Sequence, residues 1–429
     1  MGDGASFRFY AKKLAPNDNS KNQVYLGGGF TALNIIPHSS VYTDDTARAG
    51  SIRDRAKASV KFSWVDEAGK HLAPNTQLIL YSKYPEVRMS GFLRGCQHSP
   101  SEVMKSRAEG RVMFLGVFPD RHVIGFAVFA DHPIARQLST LTDAEETGVF
   151  LELSSVVTGE ADTKNRLLQA LRIIHQKNWI PSQKITDGLP TPYAAQNGGG
   201  YTLEAELGIA PNGNAEPDYL GWEVKQYGVK DFEKNRAKGP ITLMTPEPTG
   251  GEYRDDGVAE FIRRYGYPDT RGVEDRINFG GVYKNGEGFH NRTGLALRIK
   301  GFDAGSGKII DMNGGIYLLS KDDDVAAVWD FSEILDHWNR KHARAVYVPS
   351  LSRKSPLEYR YGHEVTLCEE TDFLFFLSAL ASGKLYYDPG IKMENASGDH
   401  PKIKRRSQFR MKQVEINSLY AKTQIHSLN

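Results

Sequence analysis

The sequence predicts a multidomain protein, with an all-β domain at residues 1–157 and a mixed α/β domain at residues 158–429. Three observations support this division. Short β-rich runs separated by turn residues fill the first part, as in a barrel or sandwich. Helical and strand-like runs alternate in the second part. The polar segment SSVVTGEAD, residues 154–162, lies between them.

The composition indicates an ordinary globular protein, because charged residues make up 25% and aromatic residues 10% of the chain. No apolar run approaches the roughly 18 residues of a membrane span, and the first residues lack the apolar core of a signal peptide. Cys96 and Cys368 have no metal-ligand spacing, which favours a reducing, cytoplasmic location and no zinc site. The net charge of +2 neither requires nor excludes nucleic acid as a partner.

Two polar loops in the first domain offer contacts to nucleic acid. Lys and Arg neutralise phosphates, while Asn, Gln and Arg can contact base edges. Two solvated loops on a β domain are the alternative, and the residues alone leave both interpretations open. The candidate residues are Lys12, Lys13, Asn17, Asn19 and Gln23 in the first loop, and Glu86, Arg88 and Arg94 in the second.

The segments KKLAPNDNSKNQVYL and EVRMSGFLRG resemble the two DNA-binding arms of the EcoRII-like amino-terminal effector domains. The resemblance implies a DNA-binding pseudobarrel, the fold shared with plant B-three transcription factors, which holds the major groove between its arms. It adds Asp18 to the first arm. Gly91 and Phe92 stand where the family has Arg-Trp, so the resemblance does not carry a base preference at that point.

Hydrophobic periodicity predicts the elements of the second domain. Helices are predicted for TKNRLLQALRIIHQKNWI, VAEFIRRYGYPD, DDVAAVWDFSEILDHWNRKHA and TDFLFFLSALASG, and strands for GLALRIKG, GIYLLSKD and ARAVYVPS. TLEAEL is predicted to begin a helix with Thr202 at its N-cap. The glycine run NGGG at residues 197–200 is predicted to be a turn.

The stretch YTLEAELGIAPNGNAEPDYLGWEVK, residues 201–225, concentrates carboxylates around one lysine. GWEVKQY alternates apolar and polar residues, which predicts a strand with Glu223 and Lys225 on one face. A tight turn at Leu220-Gly221, or a strand end, could bring Asp218 back to Glu223. The bare pattern Asp-x4-Glu-x-Lys is also common by chance, and its alternative is a surface strand with a Glu-Lys pair.

Two converging carboxylates repel each other unless a cation lies between them, and Mg²⁺ prefers such oxygen ligands. The neighbouring lysine can orient a water molecule or neutralise charge on a phosphate. The pattern therefore predicts metal-dependent phosphodiester hydrolysis. Glu204 can face this site from the preceding helix, whereas Glu206 points elsewhere.

The order GYTLEAELG, PD, GWEVK and ITLMTPEP is similar to the MvaI/BcnI restriction endonucleases, which are relatives of the MutH nicking enzyme. The resemblance implies an α/β restriction-endonuclease-like fold of the PD-(D/E)XK, MutH-like type. It assigns Asp218 and Glu223 to binding of Mg²⁺, Lys225 to catalysis, and Glu204 to support of the site.

The segment HPKIKRRSQFRMK carries six cations and no acid, and IKRRSQFRM alternates as a strand does. The pattern favours a DNA-contact segment over a solvated basic tail. The family has a similar stretch near its end, where it contributes to target recognition. The candidate DNA contacts are Lys404, Arg405, Arg406, Gln408 and Arg410.

Together the two resemblances imply a Type II, IIE-like restriction enzyme that acts on double-stranded DNA as a monomer. They imply CCWGG as the target, with CCSGG as the nearest alternative, and a second DNA copy bound by the first domain. Two rivals are a MutH-like repair nickase and a non-catalytic DNA-binding regulator. The intact Asp218, Glu223 and Lys225 argue against the regulator.

Overall fold

The structure, a computed structural model, describes residues 7–18, 23–43, 55–141, 145–153, 163–195, 197–211 and 217–429. The chain forms two compact units. The first comprises Met1–Gly228, Asn339–Asp372 and Lys422–Asn429, and the second comprises Val229–Trp338 and Phe373–Ala421. These units follow contacts, whereas the division at residue 157 follows sequence pattern and stays a prediction.

The first 153 residues are rich in strands where the structure describes them, as predicted. Their two short helices are α1 (Ser101–Lys105) and α2 (Pro133–Thr140), and a 3-10 helix spans Thr31–Asn34. The strands are β1 (Arg8–Lys13), β2 (Gln23–Gly28), β3 (Tyr42–Thr43), β4 (Arg55–Ser59), β5 (Phe62–Asp66), β6 (Gly69–Leu72), β7 (Gln77–Tyr81), β8 (Glu86–Ser90), β9 (Val112–Val117), β10 (Val123–Val128), β11 (Glu145–Thr147) and β12 (Phe150–Glu152).

These strands form two sheets, in the orders β11-β12-β1-β9-β10-β5-β6 and β2-β8-β7-β4-β3. The β-rich run ASVKFSWV, residues 58–65, is divided between them, because β4 belongs to the five-stranded sheet and β5 to the seven-stranded one. Among the described residues both sheets are open at their edges, so no closed barrel forms.

The remaining chain mixes helices and strands, which agrees with the predicted α/β class. The helices are α3 (Thr163–Gln176), α4 (Gly198–Glu206), α5 (Glu252–Asp255), α6 (Val258–Tyr265), α7 (Phe331–His342) and α8 (Phe373–Ala381), with a 3-10 helix at Gln413–Leu419. The strands of the segment up to Asp330 are β13 (Ile180–Pro181), β14 (Gln183–Thr186), β15 (Leu189–Pro192), β16 (Glu223–Gly228), β17 (Ile241–Met244), β18 (Tyr267–Pro268), β19 (Arg276–Gly280), β20 (Ala296–Lys300), β21 (Phe302–Asp303), β22 (Lys308–Ile309), β23 (Gly315–Leu319) and β24 (Val325–Asp330). The later strands are β25 (Arg344–Arg353), β26 (Glu358–Tyr361), β27 (Glu364–Thr371), β28 (Leu385–Tyr387), β29 (Gly390–Glu394), β30 (Lys402–Lys404), β31 (Phe409–Met411) and β32 (Tyr420–Ser427).

The sheet around β25 positions the candidate site of the first unit. Its strand order is β13-β26-β25-β27-β32, and β16 pairs with β25 in parallel, with Glu223 opposite Ala345. Helix α3 packs its leucines against this sheet. The core they share includes Leu167, Leu171, Trp222, Val224, Val346, Val348, Tyr361 and Leu428, each at most 5% exposed.

In the second unit, the larger sheets have the orders β17-β31-β28, β18-β19-β29-β30 and β20-β23-β24. The predicted helix DDVAAVWDFSEILDHWNRKHA is wrong in its first half, because Val325–Asp330 forms β24 and the helix begins at Phe331. Residues 326–329 are all buried and β24 pairs with β23, and helical periodicity cannot identify a strand that is covered on both faces.

The predicted turn NGGG and the predicted N-cap at Thr202 are also wrong, since α4 begins at Gly198. A Cβ on Gly198 would lie 2.5 Å from the Ser182 Oγ, and one on Gly199 would lie 2.8 Å from the Gln226 Oε1. Glycines are therefore needed there for close packing rather than for a turn. Thr202 lies inside the helix, where its Oγ1 accepts a hydrogen bond from the Gln183 N–H at 3.0 Å.

None of the helices in the described part of the chain combines the length and the apolar character that a membrane crossing requires.

A buried ion pair holds the loop that follows β1. The Lys12 ammonium lies 2.8 Å from the Asp18 Oδ2, and both side chains are about 5% exposed or less. The Asp18 carboxylate also accepts the backbone N–H groups of Ala15, at 2.8 Å, and of Tyr25, at 3.1 Å. The pair thus ties the loop to β1 and β2.

We expect Lys12→Met to lower the free energy of unfolding by about 3 kcal/mol, because it leaves the Asp18 charge buried without its partner. Methionine keeps the stem length, so packing is little changed. Lys13→Met, at an exposed position, is the matched control and should stay within about 0.5 kcal/mol of wild type. Urea unfolding measures both, and equal stability of the two variants would contradict the structural role of Lys12.

Candidate active site

A two-residue turn brings Asp218 next to strand β16. The backbones of Tyr219 and Trp222 exchange hydrogen bonds of 2.9 and 2.8 Å across it. Leu220 and Gly221 both have positive φ, at 50° and 84°. The φ of Gly221 favours glycine, and the end of the Arg8 side chain occupies the space that a Cβ would take. The predicted turn at Leu220-Gly221 is therefore confirmed.

Glu223 begins β16 and is fully buried, at 0% exposure. Its Oε1 lies 2.5 Å from the Lys225 ammonium, which agrees with the predicted placement of both residues on one face of the strand. Neither carboxylate oxygen receives a hydrogen bond of acceptable geometry from the described residues. Burial is the main reason why the pKa of Glu223 is raised to about 7, and the charge of Asp218 adds to it.

Asp218 is half-buried and lies beside Glu223 in the site. Its Oδ2 accepts the Val224 N–H at 3.0 Å. The Lys341 ammonium lies 4.0 Å from the Asp218 Oδ1 and 3.5 Å from the Glu223 Oε2, so the two carboxylates lie close to one point. The expected convergence of the two carboxylates is thus present.

Glu204 approaches the same point from helix α4. Burial raises its pKa, and the Asp218 charge raises it further, while Lys225 and Lys341 act in the opposite direction. For Lys225 the largest effect is burial, which lowers the pKa of an ammonium group. The charges of Glu223, Asp218 and Glu204 together outweigh burial and raise the pKa of Lys225. Four predicted residues therefore interact electrostatically.

The donor set fits a hard divalent cation. The Asp218 charge raises the pKa of both Glu204 and Glu223, and the two buried oxygens of Glu223 have ammonium neighbours but no hydrogen bond of acceptable geometry among the described residues. A metal cation would give these oxygens a direct ligand and relieve the repulsion between the carboxylates. Asp218 and Glu223 are the residues that would hold it.

Lys341 is a functional candidate that the sequence reasoning missed. It lies in the last turn of α7, and its Nζ is 3.5 Å from the Glu223 Oε2 and 4.0 Å from the Asp218 Oδ1. No local motif marks it, because Lys341 and Glu223 are distant in sequence. The register of β16 with β25, which starts just after α7, brings them together.

A second group of potential metal ligands lies in the first 100 residues. Atoms of Asp66, His71 and His98 lie within 4.8 Å of one another. The Asp66 Oδ1 already pairs with the His71 Nε2 at 2.7 Å and accepts the Ala68 and Gly69 N–H groups. The two imidazole rings stack at 4.3 Å. This cluster is satisfied by its own contacts, unlike Glu223.

The candidates of the first arm differ in accessibility. Lys13 and Asn17 are exposed, whereas Lys12 is buried in its ion pair with Asp18. Gln23 exchanges hydrogen bonds with the Tyr81 hydroxyl at 3.3 and 3.4 Å. Asn19 lies outside the described residues. The role of each in DNA binding stays a prediction.

In the second arm, Arg88 is already engaged with protein groups. Its Nη2 lies 2.8 Å from the Glu86 Oε1, and its guanidinium lies over the Tyr81 ring at 5.6 Å. Arg94 is exposed in the turn after β8. Phe92 is a core residue at 1% exposure, and its carbonyl accepts the Trp64 indole N–H at 2.6 Å.

The carboxy-terminal basic segment forms two short strands, β30 and β31, rather than the continuous strand that its alternation predicts. Lys404, Arg405 and Arg406 are exposed, and Gln408 is half-buried. Arg410 donates to the Asp388 Oδ2 at 2.7 Å and to the Pro240 carbonyl at 3.0 Å. Three of the five candidates are thus accessible to a large ligand, and one of them, Arg405, lies 4.0 Å from the Glu247 carboxylate.

The raised pKa of Glu223 predicts a pH-dependent cost to folding in the absence of metal. The folded-state pKa of about 7 exceeds the usual 4.5, so folding favours the protonated form. This stabilisation is full below about pH 4.5 and is lost as the pH rises through 7. Between pH 5 and 8, the free energy of unfolding of the wild type should fall by roughly 2–3 kcal/mol relative to that of Glu223→Gln.

Urea unfolding with a metal chelator at both pH values measures this difference. Glu109→Gln, at an exposed position, is the matched control and should follow wild type. If Glu223→Gln also follows wild type, Glu223 is not destabilised by its burial.

This chain is similar to one family of known proteins. The model of the MvaI/BcnI restriction endonuclease family matches residues 168–420, more than half of the chain. No curated protein matches. Two solved structures share 18% sequence identity and cover 62% of this chain. Restriction endonuclease MvaI with its cognate DNA substrate is covered over 99% of its own chain, with a TM-score of 0.47; MvaI in the absence of DNA is covered over 98%, with a TM-score of 0.34.

The matched region contains α4, β16, α7 and β25, and thus Glu204, Asp218, Glu223, Lys225 and Lys341. This chain belongs to the MvaI/BcnI restriction endonuclease family.

Proposed function

We propose that this chain is a Type II site-specific endonuclease that hydrolyses phosphodiester bonds of double-stranded DNA with Mg²⁺. The observation that carries the proposal is the buried carboxylate of Glu223, which lies next to Asp218 and Lys225 and receives no hydrogen bond of acceptable geometry from the residues that the structure describes. In a restriction endonuclease family, such a cation-binding site beside a lysine is suited to phosphodiester cleavage.

In this proposal Asp218 and Glu223 hold the cation, which supplies Lewis-acid polarisation of the scissile phosphate and of an attacking water. Lys225 keeps its positive charge at neutral pH, because the surrounding carboxylates raise its pKa. Its ammonium can therefore donate hydrogen bonds to the water or to a phosphate oxygen, where negative charge develops during attack. Glu204 increases the negative potential that attracts the cation.

DNA contacts are proposed for the exposed cations of both sequence arms and of the carboxy-terminal segment. Lys13 and Arg94 in the first 100 residues, and Lys404, Arg405 and Arg406 near the other end, are accessible to phosphates. Arg88 and Arg410 are held in defined orientations by Glu86 and Asp388. A fixed guanidinium suits bidentate contact with a base edge or phosphate.

The proposed target is CCWGG, with CCSGG as the alternative, and the proposed active form is a monomer that cuts the two strands in turn. The first domain is proposed to be a pseudobarrel that binds a second copy of the site, in the manner of a IIE-like enzyme. These finer assignments rest on the sequence motifs.

We expect the purified protein to linearise a plasmid that carries CCWGG sites in Mg²⁺. Asp218→Ala should lower the rate of cleavage by at least about a hundredfold, because it removes one of two cation ligands. Agarose gel electrophoresis of supercoiled, nicked and linear forms gives the rates, and plasmids with CCSGG sites or with neither site test the target.

Asp66→Ala, which alters the other carboxylate-histidine cluster, is the control and should cut at the wild-type rate. Absence of cleavage by wild type on every plasmid would refute the endonuclease proposal, and accumulation of nicked circles alone would favour a repair nickase. Full activity of Asp218→Ala would exclude Asp218 as a cation ligand.

A separate prediction concerns the second arm. Arg94→Ala should weaken DNA binding in Ca²⁺ and reduce the slope of log affinity against log salt by about one, because one phosphate contact is lost. Fluorescence anisotropy with a labelled duplex at several salt concentrations measures this. Arg107→Ala, at an exposed position outside both arms, is the control, and an equal effect of both substitutions would contradict a specific role of Arg94.

A further inference from the structure

We propose that the Lys341 ammonium is an internal counter-cation, which holds Asp218 and Glu223 in the metal-free protein and is displaced when the metal binds. This inference rests on the proposed function of the site. It assigns a role to a residue that lies outside the Asp218-Glu223-Lys225 pattern.

The position of the ammonium carries the inference. Lys341 Nζ lies 3.5 Å from the Glu223 Oε2 and 4.0 Å from the Asp218 Oδ1, and it therefore lies between the two candidate metal ligands. Lys225 contacts Glu223 through the other oxygen, Oε1. Among the ion pairs of the described residues, Lys341 is the cation that touches both carboxylates.

A divalent cation held by the same two carboxylates would lie within a few ångströms of this ammonium. Like charges at that distance repel strongly in a site with little water. The ammonium and the metal thus compete for the same negative charge, so the metal must displace the ammonium to bind fully.

The local structure allows this displacement. Lys341 lies in the last turn of α7, where the helix dipole favours a cation. The flexible four-carbon stem lets the ammonium move while the backbone stays in place. The side chain is 18% exposed, so a path to solvent is open.

DNA would offer the displaced ammonium a new partner, since backbone phosphates attract lysine. Metal binding frees the ammonium, and a phosphate stabilises it in the displaced position. Binding of the metal therefore favours binding of DNA, and binding of DNA favours binding of the metal by the same factor. In the metal-free, DNA-free enzyme the ammonium offsets part of the negative charge of the carboxylates.

The test is Ca²⁺ binding to the full-length protein without DNA, measured by isothermal titration calorimetry. Lys341→Met keeps the length of the stem and removes the charge. We expect its Ca²⁺ dissociation constant to fall at least about fivefold below that of wild type, the lower end of typical coupling factors. Lys341→Arg keeps the charge and should bind Ca²⁺ much as wild type does.

Lys61→Met removes one positive charge from an exposed ion pair with Asp120 and is the matched control. It should leave the Ca²⁺ affinity at the wild-type value. If Lys341→Met binds Ca²⁺ as wild type does, or more weakly, the counter-cation role is overturned. The proposed function is judged separately, by loss of Ca²⁺ binding in Asp218→Ala and by plasmid cleavage in Mg²⁺ by wild type.

A second titration adds a duplex that carries the cleavage target. The duplex should raise the Ca²⁺ affinity of wild type by a larger factor than that of Lys341→Met. An equal increase in both proteins would overturn the part of the inference that concerns the phosphate.

Discussion

The burial of the Glu223 charge is the constraint on which the candidate site depends. A carboxylate at 0% exposure is destabilised relative to its neutral form, and only nearby positive charge can offset this. Lys225 from the same strand and Lys341 from α7 supply that charge in the protein alone. The parallel register of β16 with β25 and the turn before β16 bring these groups together.

Asp18 and Glu223 are both buried carboxylates that contact lysine, but their oxygens are hydrogen-bonded to different extents. Asp18 accepts an ammonium and two backbone N–H groups, so its lone pairs are largely occupied and the contact stabilises a loop. Glu223 has ion pairs but no well-formed hydrogen bonds among the described residues. An incompletely satisfied buried carboxylate is destabilising in isolation and becomes favourable when a cation binds. Both carboxylates are buried, and they differ in whether their oxygens accept hydrogen bonds. This difference distinguishes the candidate site from the structural ion pair.

The sequence alone predicted those parts of the site that depend on local geometry. A period of two residues placed Glu223 and Lys225 on one face, and the Leu220-Gly221 pair indicated the turn. Lys341 was missed because its contact with Glu223 arises from strand pairing across the chain. The starts of α4 and α7 were misplaced because Gly198 serves close packing and Val325–Asp330 is covered on both faces. Likewise, Lys12 looks like an exposed arm residue until its partner Asp18 is located.

The pairing of β16 with β25 also sets the order in which the site assembles during synthesis. Strand β16 leaves the ribosome well before Arg344, where β25 begins. Before β25 is made, the Glu223 carboxylate has no sheet to bury it. Lys341 is added to the chain just before β25 begins. A nascent chain therefore carries the carboxylates without an assembled cation site. The candidate site can therefore assemble only once the chain has been made at least as far as β25.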